Sequence, residues 1–160
     1  MSRILSIDYG DVRVGIAITD ALNITAQGLE TIQRNNSDKI VLRRLDEIFE
    51  QYPVETIVVG MPYNMNGTKT ERAEVTEKFI HKLKCKYPDK KIVTVDERLT
   101  TVAAHKTMNF LDVNPKKKKS IVDTISAVYI LETFLGKWYF WCFWGRTQKT
   151  PVVHLDYWKN

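Results

Sequence analysis

Residues 4–20 read ILSIDYGDVRVGIAITD, two apolar runs joined by a polar turn at Gly10-Asp11. The spacing predicts a β-hairpin of residues 3–9 and 12–18. Ile4, Leu5 and Ile7 leave no polar face on the first run, which marks it as a central strand covered on both sides. Asp8 closes that run where burial should still be nearly complete. A carboxylate there is costly to desolvate unless something compensates it. The hairpin therefore demands a mixed, covered sheet, and it demands a partner for Asp8.

The rest of the chain supplies the layers. Gly28 to Gln33 is a third, weaker strand. Ser37 offers an N-cap for a helix carrying Val41, Leu45, Ile48 and Phe49 on one stripe. ETIVVG, residues 55–60, is a buried strand running toward Gly60 and Pro62, and Gly60, Pro62 and Gly67 are expected to shape a loop. Residues 70–84 give a second amphipathic helix, KIVTVDE at 91–97 another strand, and Thr100 or Thr101 caps a short helix to about Met108. Ser120 is expected to open a strongly apolar last helix ending near Gly136. The order β-β-β-α-β-α-β-α-α predicts an α/β fold: a mixed five-stranded sheet with helices on both faces.

Two strands run into acids, at Asp8 and at Asp96-Glu97, and Asp123 falls in the first turn of the expected last helix. In α/β sheets, function gathers at the carboxyl ends of strands. Carboxylates converging there repel one another, and divalent cations resolve that conflict. Oxygen-only ligands favour Mg²⁺ or Mn²⁺, and a pair of such ions suits phosphodiester hydrolysis. Each acid also has a local explanation. Asp8 can accept backbone N–H bonds in the turn, Glu97 can pair with Arg98, and Ser120-x-x-Asp123 resembles a capping box. His81, His105 and His154 are scattered and imply no cluster.

The segments SIDYGDVRVGIAITD, VVGMPYNMNGTKTERAEVTEKF, VDERLTTVAA and VDTISAVYIL follow one another between residue 3 and about residue 135. Together they resemble the YqgF/RuvX family of Holliday junction resolvase-like and pre-16S rRNA processing nucleases. The resemblance implies a ribonuclease H-like fold, with Asp8, Glu97 and Asp123 as metal-binding catalytic acids. It also implies that Arg13, Arg98, Thr100 and Thr101 line the site. Arg13 lies across the turn from Asp8 and can grip a phosphate or form a surface ion pair. Thr100 and Thr101 can equally cap their helix. Ser126 and Ala127 are small enough to let the last helix press on the sheet, although the family usually has two alanines there.

The expected activity is a metal-dependent endonuclease processing the 5′ end of precursor 16S rRNA. A junction-cleaving DNA resolvase shares the same chemistry, and a non-catalytic RNA-binding factor of ribosome assembly needs neither Glu97 nor Asp123. An ATP-binding fold of the actin and sugar-kinase type needs a second half that 160 residues do not supply.

Composition is that of a folded chain, and its mild basicity hints at a polyanionic partner without requiring one. Hydrophobic residues make up 44% and charged residues 27%, and the net charge is +5. Lys116, Lys117, Lys118 and Lys119 form a basic run before the expected last helix, placed either as a solvated loop or for phosphate contact. Two lone cysteines, no apolar stretch of membrane-spanning length and a first strand that starts without a leader point to the cytoplasm.

Residues 137–160 form a separate aromatic and basic tail, with Trp138, Trp141, Trp144 and Trp158. It is expected to be an added packing or homodimer segment, a stacking platform for single-stranded RNA, or a tail of altered origin.

Overall fold

The computed structural model describes residues 1–64, 66–97 and 115–143, with side chains of the last helix described from 122 to 136. Its elements are β1 (Arg3–Tyr9), β2 (Arg13–Thr19), β3 (Ala26–Gln33), α1 (Asp38–Gln51), β4 (Val54–Met61), α2 (Glu71–Lys86), β5 (Lys91–Asp96) and α3 (Pro115–Phe143). The strands form one sheet in the order β3-β2-β1-β4-β5. β2 is antiparallel to β1 and β3, whereas β4 is parallel to β1 and β5 parallel to β4. β1 is thus the middle strand, as its apolar sequence requires.

The sheet's two faces are covered by different helices. Leu5, Ile7, Val14, Ile16, Ile57 and Val59 point into the main core with Val41 and Leu45 of α1 and Phe79 and Leu83 of α2. Each fully buried aliphatic side chain contributes about 1.5–3 kcal/mol, so this layer dominates the stability. On the other face, Ala17, Ala127, Leu131 and Leu135 pack together, and beside them Val58, Val95 and Ile130. That second layer is small-residue rich and brings α3 close to the sheet. The buried Ser6 Oγ donates to the Ala127 carbonyl at 2.6 Å, and the hydroxyls of Thr31 and Thr124 meet at 2.7 Å.

Asp38 joins the hairpin to both helices of the main core. It accepts from Tyr9 Oη at 2.6 Å, Arg34 Nε at 2.9 Å and Lys82 Nζ at 2.5 Å, while Tyr9 stacks on Phe79. Burial alone would raise its carboxyl, but the bonds from Lys82, Tyr9 and Arg34 hold it below its usual range.

Several boundaries differ from the sequence expectation. Ser37 stands at the N-cap of α1 without a side-chain cap bond, whereas Thr70 caps α2 by accepting from the Ala73 N–H. α3 begins at Pro115 rather than Ser120, so Lys116–Lys119 belong to its opening turns. Proline suits a first helical turn, where its missing N–H costs nothing, and lysine is a good helix former. Gly136 does not end α3, which continues to Phe143. An isolated glycine weakens a helix by about 1 kcal/mol without breaking it. The short helix expected from Thr100 or Thr101 and the tail beyond residue 143 lie outside the described residues. Among the described residues, no helix is long and apolar enough to cross a membrane.

Candidate active site

Asp8 lies near the end of β1 on the face covered by α3, the face it shares with Ile4 and Ser6. Its cross-strand partner on β2 is Gly15. On the other side Ile7 pairs with Val59 of β4, so the next residue, Gly60, flanks Asp8 there. The central acid therefore stands between two positions without side chains.

Both vacated positions are filled by the neighbouring acids. A Cβ at Gly15 would lie 2.0 Å from the Asp123 carbonyl oxygen and 2.4 Å from its carbon. The α3 backbone thus rests on β2 at Asp123, one strand from Asp8. A Cβ at Gly60 would lie 2.3 Å from Glu97 Oε1 and 2.6 Å from Ile130 Cδ1. Glu97 follows β5 directly, and its carboxylate lies over β4. Gly60 is therefore a strand residue that makes room for Glu97, not part of the expected loop. Gly67, with φ 83°, does shape the connection before α2, as expected.

The electrostatics follow from this crowding. Burial, then the Asp123 charge, raises the Asp8 carboxyl from 3.8 to about 6, despite Arg72 and a hydrogen bond from Ser126. Burial, then the Asp8 charge, raises Glu97 from 4.5 to about 7, again against Arg72. These two acids move opposite to Asp38, which is fully paired within the fold. Asp8 feels both other acids. Asp123 is meanwhile engaged by Arg13, whose Nε meets Oδ2 at 2.5 Å, with both side chains about a quarter exposed.

Among the described residues, no three His, Cys, Asp or Glu side chains already form a metal cage. The donor chemistry nevertheless fits a hard divalent cation: half-buried carboxylate oxygens whose ionisation is opposed by burial and mutual repulsion.

The structure bears on the local explanations of Asp123 and Arg13. Asp123 cannot be part of a capping box, because Ser120 lies inside α3 rather than at its start. Arg13 forms an ion pair, with Asp123 as its partner. Ser126, noted in the sequence for its size, also supports Asp8 through its hydroxyl. Arg72 was not singled out by the sequence, because an arginine on the exposed side of an amphipathic helix carries no local signal. Arg98, Thr100 and Thr101 lie outside the described residues, as do the side chains of Lys116–Lys119.

Comparison with known proteins agrees with this architecture. The RuvX family profile, described as Holliday junction resolvase, matches residues 2–137. A protein of Ruminiclostridium cellulolyticum named "Putative pre-16S rRNA nuclease" is 53% identical over 84% of this chain and 94% of its own length. A protein of Acetivibrio thermocellus with the same name is 49% identical over 83% of this chain and 94% of its own. Two solved structures share the fold. RuvC of T. thermophilus in complex with a Holliday junction substrate has a TM-score of 0.52 at 11% identity, covering 86% of this chain and 96% of that one. The Fowlpox virus resolvase in complex with Holliday junction DNA has a TM-score of 0.53 at 13% identity, covering 85% and 98%. With the family profile spanning residues 2–137 and relatives 53% and 49% identical over more than four fifths of the chain, the chain belongs to the RuvX family.

Proposed function

We propose that this chain is a divalent-metal-dependent endonuclease that processes the 5′ end of precursor 16S rRNA. Its family makes it a nuclease, a hydrolase of phosphodiester bonds. The observation that carries the mechanism is the arrangement around Asp8, with glycines on both neighbouring strands admitting Asp123 on one side and Glu97 on the other. Asp8, Glu97 and Asp123 would hold Mg²⁺ or Mn²⁺, two ions in the fullest form. When bound, the metal supplies an activated water and relieves charge on the leaving oxygen.

The chain's own groups do the rest. β1 and β4 hold Asp8 and the floor beneath Glu97 rigidly, so little reorganisation accompanies reaction. Arg13 restrains Asp123, and the Ser126 hydroxyl favours the ionised form of Asp8. Raised carboxyls keep Asp8 and Glu97 partly protonated at neutral pH in the metal-free protein. Arg98, Thr100, Thr101 and Lys116–Lys119 complete the proposed substrate surface along the phosphate backbone. The precursor-rRNA substrate is supported by the names of relatives at 53% and 49% identity. Action in the cytoplasm, on a ribosomal precursor particle, follows from that substrate. Cleavage of four-way DNA junctions is the second reading, favoured by the family description and by the two resolvase folds.

The test is cleavage of precursor 16S rRNA and of a four-way DNA junction in Mg²⁺ or Mn²⁺, beside Asp8→Asn. RNA cleavage abolished by the substitution is expected. Junction cleavage alone moves the substrate to DNA, and cleavage that survives Asp8→Asn removes Asp8 from the mechanism. Well-folded protein that cuts neither would be an RNA-binding assembly factor.

A further inference from the structure

Two arginines approach the acids, and they are held differently. Arg13 is committed: its Nε sits 2.5 Å from Asp123 Oδ2. Arg72 comes from the first turn of α2, on the opposite layer of the molecule. Its Nε reaches Asp11 Oδ2 in the β1–β2 turn at a stretched 3.9 Å, and both side chains stay exposed, at 55% and 68%. An exposed pair at that distance is worth little and exchanges readily for a better anion. The backbone beneath Arg72 is fixed, because Thr70 caps α2 and Thr76 Oγ1 donates to the Arg72 carbonyl at 2.8 Å. Its guanidinium therefore hangs from a rigid base at the sheet's carboxyl edge, beside the turn that follows Asp8. Its charge reaches both Asp8 and Glu97.

We propose that Arg72 is a substrate-binding residue, which leaves Asp11 to grip a backbone phosphate of the nucleic acid beside Asp8 and Glu97. The planar guanidinium suits bidentate phosphate contact, and Asp11 acts as a placeholder that keeps it at the site edge when no substrate is bound. The inference rests on the nuclease reading of the site for its substrate class, but binding alone tests it.

The measurement is the affinity of the full chain for a labelled precursor 16S rRNA fragment and for a four-way DNA junction, in chelator, over a range of salt concentrations. Arg72→Ala and Arg72→Gln are expected to bind about three- to tenfold more weakly at low salt, with the salt slope reduced by about one. Arg72→Lys, which keeps the charge and loses the fork, falls between. Asp11→Asn is expected to bind as tightly as the parent or more so. A merely structural role would lower the melting temperature and leave the salt slope alone. If Arg72→Ala misfolds, the Gln and Lys variants decide. Unchanged affinity and slope in folded variants overturn the proposal, as does a parent protein that binds neither probe. Arg72-dependent binding without cleavage by the parent supports this contact and overturns the nuclease reading. Cleavage with Arg72-independent binding does the reverse.

Discussion

Asp8 and Gly15 face each other across the β1–β2 ladder, and the peptide of Asp123 occupies the space a side chain at Gly15 would need. The obstacle is backbone on both sides, so a methyl group cannot be accommodated by a rotamer change. Gly15→Ala is expected to push α3 off the sheet and cost about 3 kcal/mol in denaturant unfolding, the upper range for overpacking. Nuclease activity should fall below detection even where the variant folds.

Gly60→Ala should behave differently. Its new methyl meets Glu97 Oε1 and Ile130 Cδ1, the far ends of flexible side chains. The fold should lose only about 1 kcal/mol, while displacement of Glu97 lowers the turnover rate by about a hundredfold. A stability loss as large as that of Gly15→Ala, with activity retained, would contradict the placement of Glu97 over β4.

The metal-free protein should be more stable at pH 5 than at pH 8. Asp8 and Glu97 ionise at about 6 and about 7 in the fold, against 3.8 and 4.5 ordinarily. Raised carboxyls contribute stability that is complete below about pH 4 and is lost as the pH rises through 6 and 7. Between pH 5 and pH 8 the loss is on the order of 4 kcal/mol, read as a falling melting temperature. Asp8→Asn should flatten the profile, and Mg²⁺ or Mn²⁺ at pH 8 should restore stability by binding only the folded state. Asp38 titrates in the opposite direction and at lower pH, so it leaves this window undisturbed.

Arg13→Gln should cost about 1 kcal/mol of stability, because its pair with Asp123 is partly exposed. Activity should suffer more, by about ten- to a hundredfold in turnover, once Asp123 is no longer held in place. Equal turnover in the variant would reduce the pair to a surface contact.

The family match ends at residue 137, leaving most of the aromatic tail outside it. A chain stopped after Phe143, which keeps α3 whole, should cut RNA and bind it within about twofold of the parent. Affinity about tenfold weaker would instead make the tail a stacking platform, since each stacked base is worth about 1–3 kcal/mol.

Particular residues show what the sequence could and could not reveal. The middle position of β1 was legible, because Ile4, Leu5 and Ile7 leave no polar face. The core stripes of α1 and α2 were legible as well, because Val41, Leu45, Phe79 and Leu83 recur at helical spacing. The start of α3 was not: Ser120-x-x-Asp123 imitates a cap, while the lysines ahead of it form a helix as readily as a loop. Gly60 looked like the end of a strand because its actual task, yielding space to Glu97, depends on a residue one strand away. Arg72 was invisible for the same reason, since its relation to Asp8 exists only after β1 and α2 meet.

The ion pair between Arg13 and Asp123 joins residues 110 positions apart in the chain. During synthesis the ribosome releases the hairpin bearing Asp8 and Arg13 long before α3 exists to close over it. A half-made chain therefore holds one acid, then two, and never the complete set. The three acids therefore come together only once α3 has been made and has docked on the hairpin's face of the sheet.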